Sequence, residues 1–297
     1  MVLAMLGANI YLYPQEARMT RILTAIILIA GVVALIFFGP LWSITLAAAV
    51  VAVLASLEYR SLAQASGVQI PLVWLLFAVA AVFYVTLYLT EGELPVLSRL
   101  ALVLLGWSGF RAPLERVLPD AAFGLFGLIY VAYPLTLIPQ LRAHEDGTGL
   151  MVFLFVCVWS GDTAALYVGK NFGRHKLAPR LSPGKTWEGS VASLLASVGF
   201  GLGIYYLGLY LAVEHGFTGL HIAMPLWQIA ALAVLLNVAA QIGDLLESAI
   251  KRGAGVKDSG KLLPGHGGIL DRIDALLLAA PVMWYVLLLR DWQTLFR

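Results

Sequence analysis

Charge is scarce in this chain. Only 12% of its 297 residues are Asp, Glu, Lys or Arg, about half the fraction of an ordinary soluble domain. So few charges cannot cover a water-facing surface of this size, which excludes a soluble globular enzyme of the usual kind. Cysteine is scarcer still: Cys157 stands alone. No disulfide framework exists, and the residue reads as a small buried hydrophobe in the apolar run from Met151 to Ser160. Zinc spacings, a Ser/His/Asp arrangement, a Walker A loop and a dinucleotide fingerprint are all missing. No internal repeat is visible. The net charge of +2 by itself argues neither for nor against nucleic acid, and no nucleic-acid partner is expected.

Apolar sequence is what the chain has in excess, at 61% hydrophobic residues and a mean hydropathy of +0.88. The runs predict an all-α, polytopic transmembrane helical bundle with about nine spans. They fall near residues 20–38, 41–57, 70–90, 94–110, 121–140, 149–169, 189–213, 225–250 and 273–290. The first follows Arg18 and Arg21 as a signal peptide would, but it is nearly span-length and passes through Gly39-Pro40 straight into the second. It reads as an uncleaved helix. The fourth is the weakest, because Arg99 interrupts it.

Orientation follows from the basic residues. With the N-terminus in the cytoplasm, that side receives Arg18, Arg21, Arg60, Arg111 and Arg116. It also receives two basic loops, holding Lys170, Arg174, Lys176, Arg180 and Lys185, then Lys251, Arg252, Lys257, Lys261 and Arg272. Of the 19 basic residues only Arg99, Arg142, Arg290 and Arg297 fall opposite. The bias exists only if the fourth span is counted. The chain is thus expected to be one membrane domain over 1–297, with mainly apolar spans in 1–150. A catalytic half over 151–290 carries cytoplasmic loops 170–188 and 251–272.

Chemistry-bearing residues begin at Asp162, deep within an apolar run. A carboxylate there is costly unless paired, protonated or bound to a cation, so it is a functional candidate, with an interhelical hydrogen bond as the plain alternative. Glu58 reads as a solvated helix end rather than an active-site residue. The loop Ser182-Pro183-Gly184-Lys185-Thr186-Trp187-Glu188-Gly189 offers a cation in Lys185 and hydroxyls in Ser182 and Thr186 to phosphate oxygens. Gly201 and Gly203 look like helix-packing glycines.

Between the last two apolar runs, acids and bases are dense. Asp244, Glu247 and Ser248 share a helix face, as do Asp271 and Asp274 at the start of the last span. Acids in a first helical turn are unsurprising near the positive end of the dipole, but that leaves their crowding with Lys251, Arg252, Lys257, Lys261 and Arg272 unexplained. Asp244, Asp271 and Asp274 together form an oxygen-rich set suited to magnesium. The cations suit phosphate oxygens that a metal does not reach. His266, Gly267 and Gly268 form a turn whose backbone could approach an anion.

The segment from Ser248 through Lys251-Arg252, Lys257-Asp258, Gly260, Leu263-Pro264, His266-Gly267-Gly268 and Asp271-Arg272 to Asp274 resembles the signature of the phosphatidate cytidylyltransferases, or CDP-diacylglycerol synthases, without departure. The Gly161-Asp162 and Ser182–Gly189 stretches look like a second block of that family, so the likeness covers about residues 155–280. It implies transfer of cytidylyl from CTP to phosphatidic acid, giving CDP-diacylglycerol and pyrophosphate. Magnesium would be held at Asp244, Asp271 and Asp274, with room for a second or monovalent ion. Lys251 and Arg252 would be catalytic. Asp162, Ser182, Lys185, Thr186, Lys257, His266, Gly267, Gly268 and Arg272 would bind substrate. The expected setting is among the lipids of a bacterial inner membrane, with the site on the cytoplasmic side; a homodimer is compatible with the sequence. An ion-coupled transporter, the alternative, would place charges near mid-membrane and show inverted repeats. A CDP-alcohol phosphatidyltransferase would carry an acidic spacing absent here.

Overall fold

The computed structural model describes residues 15–88, 94–260, 262 and 267–295. In that part the apolar runs form helices, the structure that satisfies backbone polar groups without water. They are α1 (Gln15–Phe38), α2 (Leu41–Ala65), α3 (Leu72–Tyr88), α4 (Leu94–Arg111), α5 (Leu114–Ala143), α6 (Gly147–Phe172), α7 (Trp187–His215), α8 (Leu226–Gly253) and α9 (Leu270–Leu295). The fold is all-α apart from one small hairpin, with a helix at each expected stretch. Six of the helices, α2 and α5 to α9, are long and apolar enough to cross a membrane. The apolar part of α1, Ile27–Phe38, and α3 are shorter.

Two elements differ from expectation. Helix α5 starts well ahead of residue 121, on Pro113, and runs through Pro119, with the carboxylate of buried Asp120 accepting from the Gln69 amide at 2.8 Å. It widens into a π turn over Leu128–Ala132, just ahead of Pro134, which has no N–H to return to the preceding turn. The second difference lies in the loop 170–188. It contains an antiparallel hairpin, β1 (Lys176–Ala178) with β2 (Ser182–Thr186), pairing Lys176 with Thr186 and Ala178 with Ser182. Thr186 is extended because it also caps α7, its Oγ1 accepting from the Gly189 amide at 3.2 Å.

Helix packing relies on small residues, as in membrane bundles generally. Helices α6 and α7 lie along each other, and α8 lies along α9. Gly201 is buried against Cys157 and Phe153, whereas Gly203 faces outward with open space, so only the first is a packing glycine. Cys157 is fully buried, as expected of a small hydrophobe. Gly161 leaves room for a polar ladder across α6, α7 and α8. Asn237 Nδ2 donates to Ser193 Oγ at 2.8 Å and Ser197 Oγ at 2.7 Å, and Ser197 donates to the Cys157 carbonyl at 2.6 Å. Gln241 donates to Asn237 Oδ1 at 2.6 Å and accepts from Ser190 at 2.5 Å. The ladder links α8 to α7 and α7 to α6, with the Gln241–Asn237 bond running along α8 itself. Large apolar side chains such as Leu195, Phe200 and Val213 project away from the bundle.

A Cβ on Gly161 would lie 2.6 Å from Asn237 Nδ2 and 2.7 Å from Ser197 Oγ. Gly161→Ala therefore separates α6 from α8, and Asn237→Ala removes the bonds that Asn237 makes to Ser193, Ser197 and Gln241, at a cost of about 1 kcal/mol. Both variants are expected to melt lower than the parent in detergent, Gly161→Ala the more so; equal melting temperatures would contradict the packing described.

Candidate functional site

One end of the bundle collects the C-terminal ends of α2, α6 and α8, the N-terminal ends of α7 and α9, and the hairpin. Helices α8 and α9 approach closely there because Gly243 has no side chain: a Cβ would meet the Asp274 carbonyl at 2.6 Å. That contact sets Asp244 and Asp274 on facing helices. Asp274 is within electrostatic range of Asp244, Glu247 and Asp162, and Asp162 is in range of Asp244 and Lys185. Asp162 sits about 15 Å back from the end of α6, yet its surface is open. The carboxylates thus line a cleft between helices.

Lys185 crosses from β2 to this cleft, its Nζ 2.7 Å from Asp244 Oδ2. Arg252, exposed at the end of α8, donates to the Leu181 carbonyl at 3.3 Å and the Val256 carbonyl at 3.1 Å. It ties the hairpin turn to α8. The two basic loops read separately in the sequence are in contact here.

A second group lies beside the first. Glu247 is fully buried and ion-paired to Lys251 one turn on. Lys251 Nζ also lies 2.6 Å from Asp271 Oδ1. The other Asp271 oxygen accepts from the Ser259 amide at 3.0 Å and the Gly268 amide at 2.8 Å. Asp271 thus faces Lys251 and the connection, while Asp274 faces Asp244 and Asp162. The sequence grouped Asp244, Asp271 and Asp274 as one set. Among the described residues no three acidic, His or Cys side chains converge as a ligand set, although the carboxylate oxygens of the cleft are of the kind that suits a hard divalent cation.

The remaining candidates divide by exposure. Ser182 is half-buried on β2, and Lys257 is exposed. Arg272 is half-buried next to Asp271. Thr186 is buried with its hydroxyl committed to capping α7, which differs from the open phosphate donor expected of it. Gly267 adopts a left-handed φ of 77°, and a Cβ there would lie 2.7 Å from Asp271 Oδ2, so glycine is required for the turn. Lys261 and His266 lie outside the described residues.

Two residues were not legible as part of this region. Glu58 is a correction: it is not a solvated helix end but 9% exposed, and it accepts from Ser259 Oγ and from the amides of Ile269 and Leu270. Tyr130, on the π turn of α5, is buried, its hydroxyl has no hydrogen-bond partner among the described residues, and it lies within electrostatic range of Glu247, Asp274 and Asp244. The one sequence signal was for Glu58, a charged residue near the end of an apolar run; Tyr130, within such a run and four residues before Pro134, carried none.

A profile of the cytidylyltransferase family matches residues 19–290. A phosphatidate cytidylyltransferase of Haemophilus influenzae is 33% identical over 299 aligned positions, covering 89% of this chain and 96% of that protein. One from Brucella suis is 44% identical over 159 residues, covering 53% of this chain and 54% of its own length. One from Staphylococcus saprophyticus is 38% identical over 164 residues, 55% of this chain and 58% of its own. The chain thus spans about half the length of the Brucella and Staphylococcus relatives it matches. The profile takes in all the acids and cations of the cleft, and the Haemophilus match runs through the first-half helices as well. On both counts this chain belongs to the cytidylyltransferase family.

Proposed function

We propose that the protein transfers the cytidylyl group of CTP to phosphatidic acid, producing CDP-diacylglycerol and pyrophosphate. The observation that carries this reading is the Lys185–Asp244 contact of 2.7 Å. It brings a cation from the hairpin to the acids between α8 and α9, so one cleft holds both the charges a triphosphate needs and the carboxylates a metal needs. The names of the matched relatives support the same reaction.

In this reading a phosphate oxygen of phosphatidate attacks the α-phosphorus of CTP, and the bond to the β-phosphate oxygen breaks as pyrophosphate leaves. The nucleophile is already an anion, so no covalent enzyme intermediate and no general base is needed. Magnesium, when bound, neutralises the triphosphate and polarises its α-phosphate. Asp244 and Asp274 would hold it; Asp271 would join them by releasing Lys251 or a backbone amide. Lys185 would pass from Asp244 to a phosphate oxygen, and Lys251, Arg252 and Lys257 would neutralise the remaining charge. Asp162, open to the cleft, borders the bound nucleotide, with Ser182 and Arg272 nearby.

The same reading includes about nine spans in one membrane domain, with the N-terminus and the cleft on the cytoplasmic side of a bacterial inner membrane. It is supported by the basic residues of the hairpin and the 251–260 segment lying at one end of the bundle. A lipid phosphate and a soluble nucleotide can meet at such an end.

Purified protein in detergent with phosphatidic acid, magnesium and CTP is expected to release pyrophosphate, and chelation of the divalent metal is expected to stop it. Lys185→Ala and Asp274→Asn should each lower kcat/KM about 100-fold or more with the protein still folded. Pyrophosphate release that ignores both substitutions would remove the cleft from the reaction. For orientation, Arg180→Cys and Glu214→Cys can be compared in intact spheroplasts with a membrane-impermeant maleimide. Glu214→Cys is expected to label and Arg180→Cys to be protected; the opposite pattern inverts the topology.

A further inference from the structure

Glu58 belongs to the first half of the chain, yet its partners among the described residues all lie on the connection between α8 and α9 and the start of α9. Its Oε1 accepts from the Ile269 amide at 2.9 Å, and its Oε2 accepts from the Leu270 amide at 2.8 Å and from Ser259 Oγ at 3.0 Å. The two amides are among the donors that the first turn of α9 leaves unsatisfied, and a negative charge suits that end of the helix dipole. Gly260 and Gly268 let the carboxylate in. A Cβ on Gly260 would lie 2.5 Å from Glu58 Oε1, and one on Gly268 would collide with Glu58 Oε2. Among the described residues no Lys, Arg or His pairs with it. Among the described residues the burial of this carboxylate is offset by backbone and hydroxyl donors.

Ser259 joins this contact to the cleft. Its hydroxyl goes to Glu58, and its amide goes to Asp271, which in turn holds Lys251. Both ends of the connection are therefore pinned from α2: the segment carrying Lys257 through Ser259, and the start of α9 through Ile269 and Leu270.

We propose that Glu58 is a positioning residue for the transfer reaction, fixing the α8–α9 connection so that Lys251, Lys257 and Asp271 stand where the nucleotide's phosphates bind. This rests on the reading of function given above. It assigns α2 a part in the site that its apolar sequence does not advertise.

The test uses the full-length protein in detergent, with Glu58→Gln, Glu58→Asp and Ser259→Ala beside the parent. Glutamine keeps one acceptor oxygen and turns an NH2 toward N–H donors. The loss of charge-assisted hydrogen bonds predicts a rise in KM for CTP of about tenfold or more, with KM for phosphatidic acid within about twofold. Glu58→Asp, which keeps the charge on a shorter arm, is expected to recover part of the loss. Ser259→Ala is expected to shift KM for CTP the same way by less. A role confined to stability would instead reduce turnover in proportion to the unfolded fraction and leave both KM values alone; that outcome overturns the proposal.

If Glu58→Gln does not fold, an unchanged KM for CTP in Ser259→Ala overturns it equally. Amide exchange separates this inference from the assigned reaction. The amides of Ser259, Ile269 and Leu270 are expected to exchange about tenfold faster in the folded Glu58 or Ser259 variants, whether or not the parent turns over CTP. Parental inactivity counts against the reaction, whereas unchanged exchange counts against Glu58.

Discussion

Lys251 is the hinge on which the charged end of this bundle depends. Glu247 is fully buried one turn away on α8, and Asp271 opens α9 across the gap. Two carboxylates cannot stay so close in a bundle of this polarity without a cation between them, and removing one partner of such a cluster leaves an uncompensated charge. The ammonium group therefore does more than neutralise. It fixes the end of α8 to the start of α9, and the connection between those helices is built outward from that bond through Asp271 and the amides of Ser259 and Gly268.

Close helix approach makes the rest of the site possible. At Gly243 the backbone of α9 comes within the space a methyl group would need, and this brings Asp244 and Asp274 to one cleft. At Gly161 the same economy of side chain lets the Asn237 ladder bind α6 to α7 and α8, holding the next residue, Asp162, at a fixed depth. Neither contact touches a phosphate. Both decide where the groups that would bind one are found.

Polar residues inside the bundle are used in two ways. Asn237, Gln241, Ser190, Ser193 and Ser197 answer one another and serve packing. Asp162, Asp244 and Asp274 instead crowd like charges around open space, met on one side by Lys185. Mutual satisfaction marks the first set as structural. Among the described residues the second set has one ion pair, Lys185 with Asp244, and in the proposed reading its other carboxylates are left for a metal.

Hydrophobic runs of span length determined by themselves that the chain is helical and membrane-embedded, because no other structure satisfies the backbone in lipid. The spacing of acids and cations from Asp244 to Asp274 likewise singled out that stretch as the candidate site, since residues three and four apart share a helix face. Pairing was not legible. Asp271 and Asp274 look equivalent in sequence, but one turns to Lys251 and the other to Asp244, a choice made by the crossing of α8 and α9 at Gly243. Thr186 was drawn into a cap by the hairpin before it, which the turn residues alone did not announce. Glu58 stands more than 200 residues before the amides it receives, and only the folding of α2 against α9 brings them together. Local periodicity is a property of neighbouring residues, whereas a carboxylate's partner is selected by whichever helix arrives beside it.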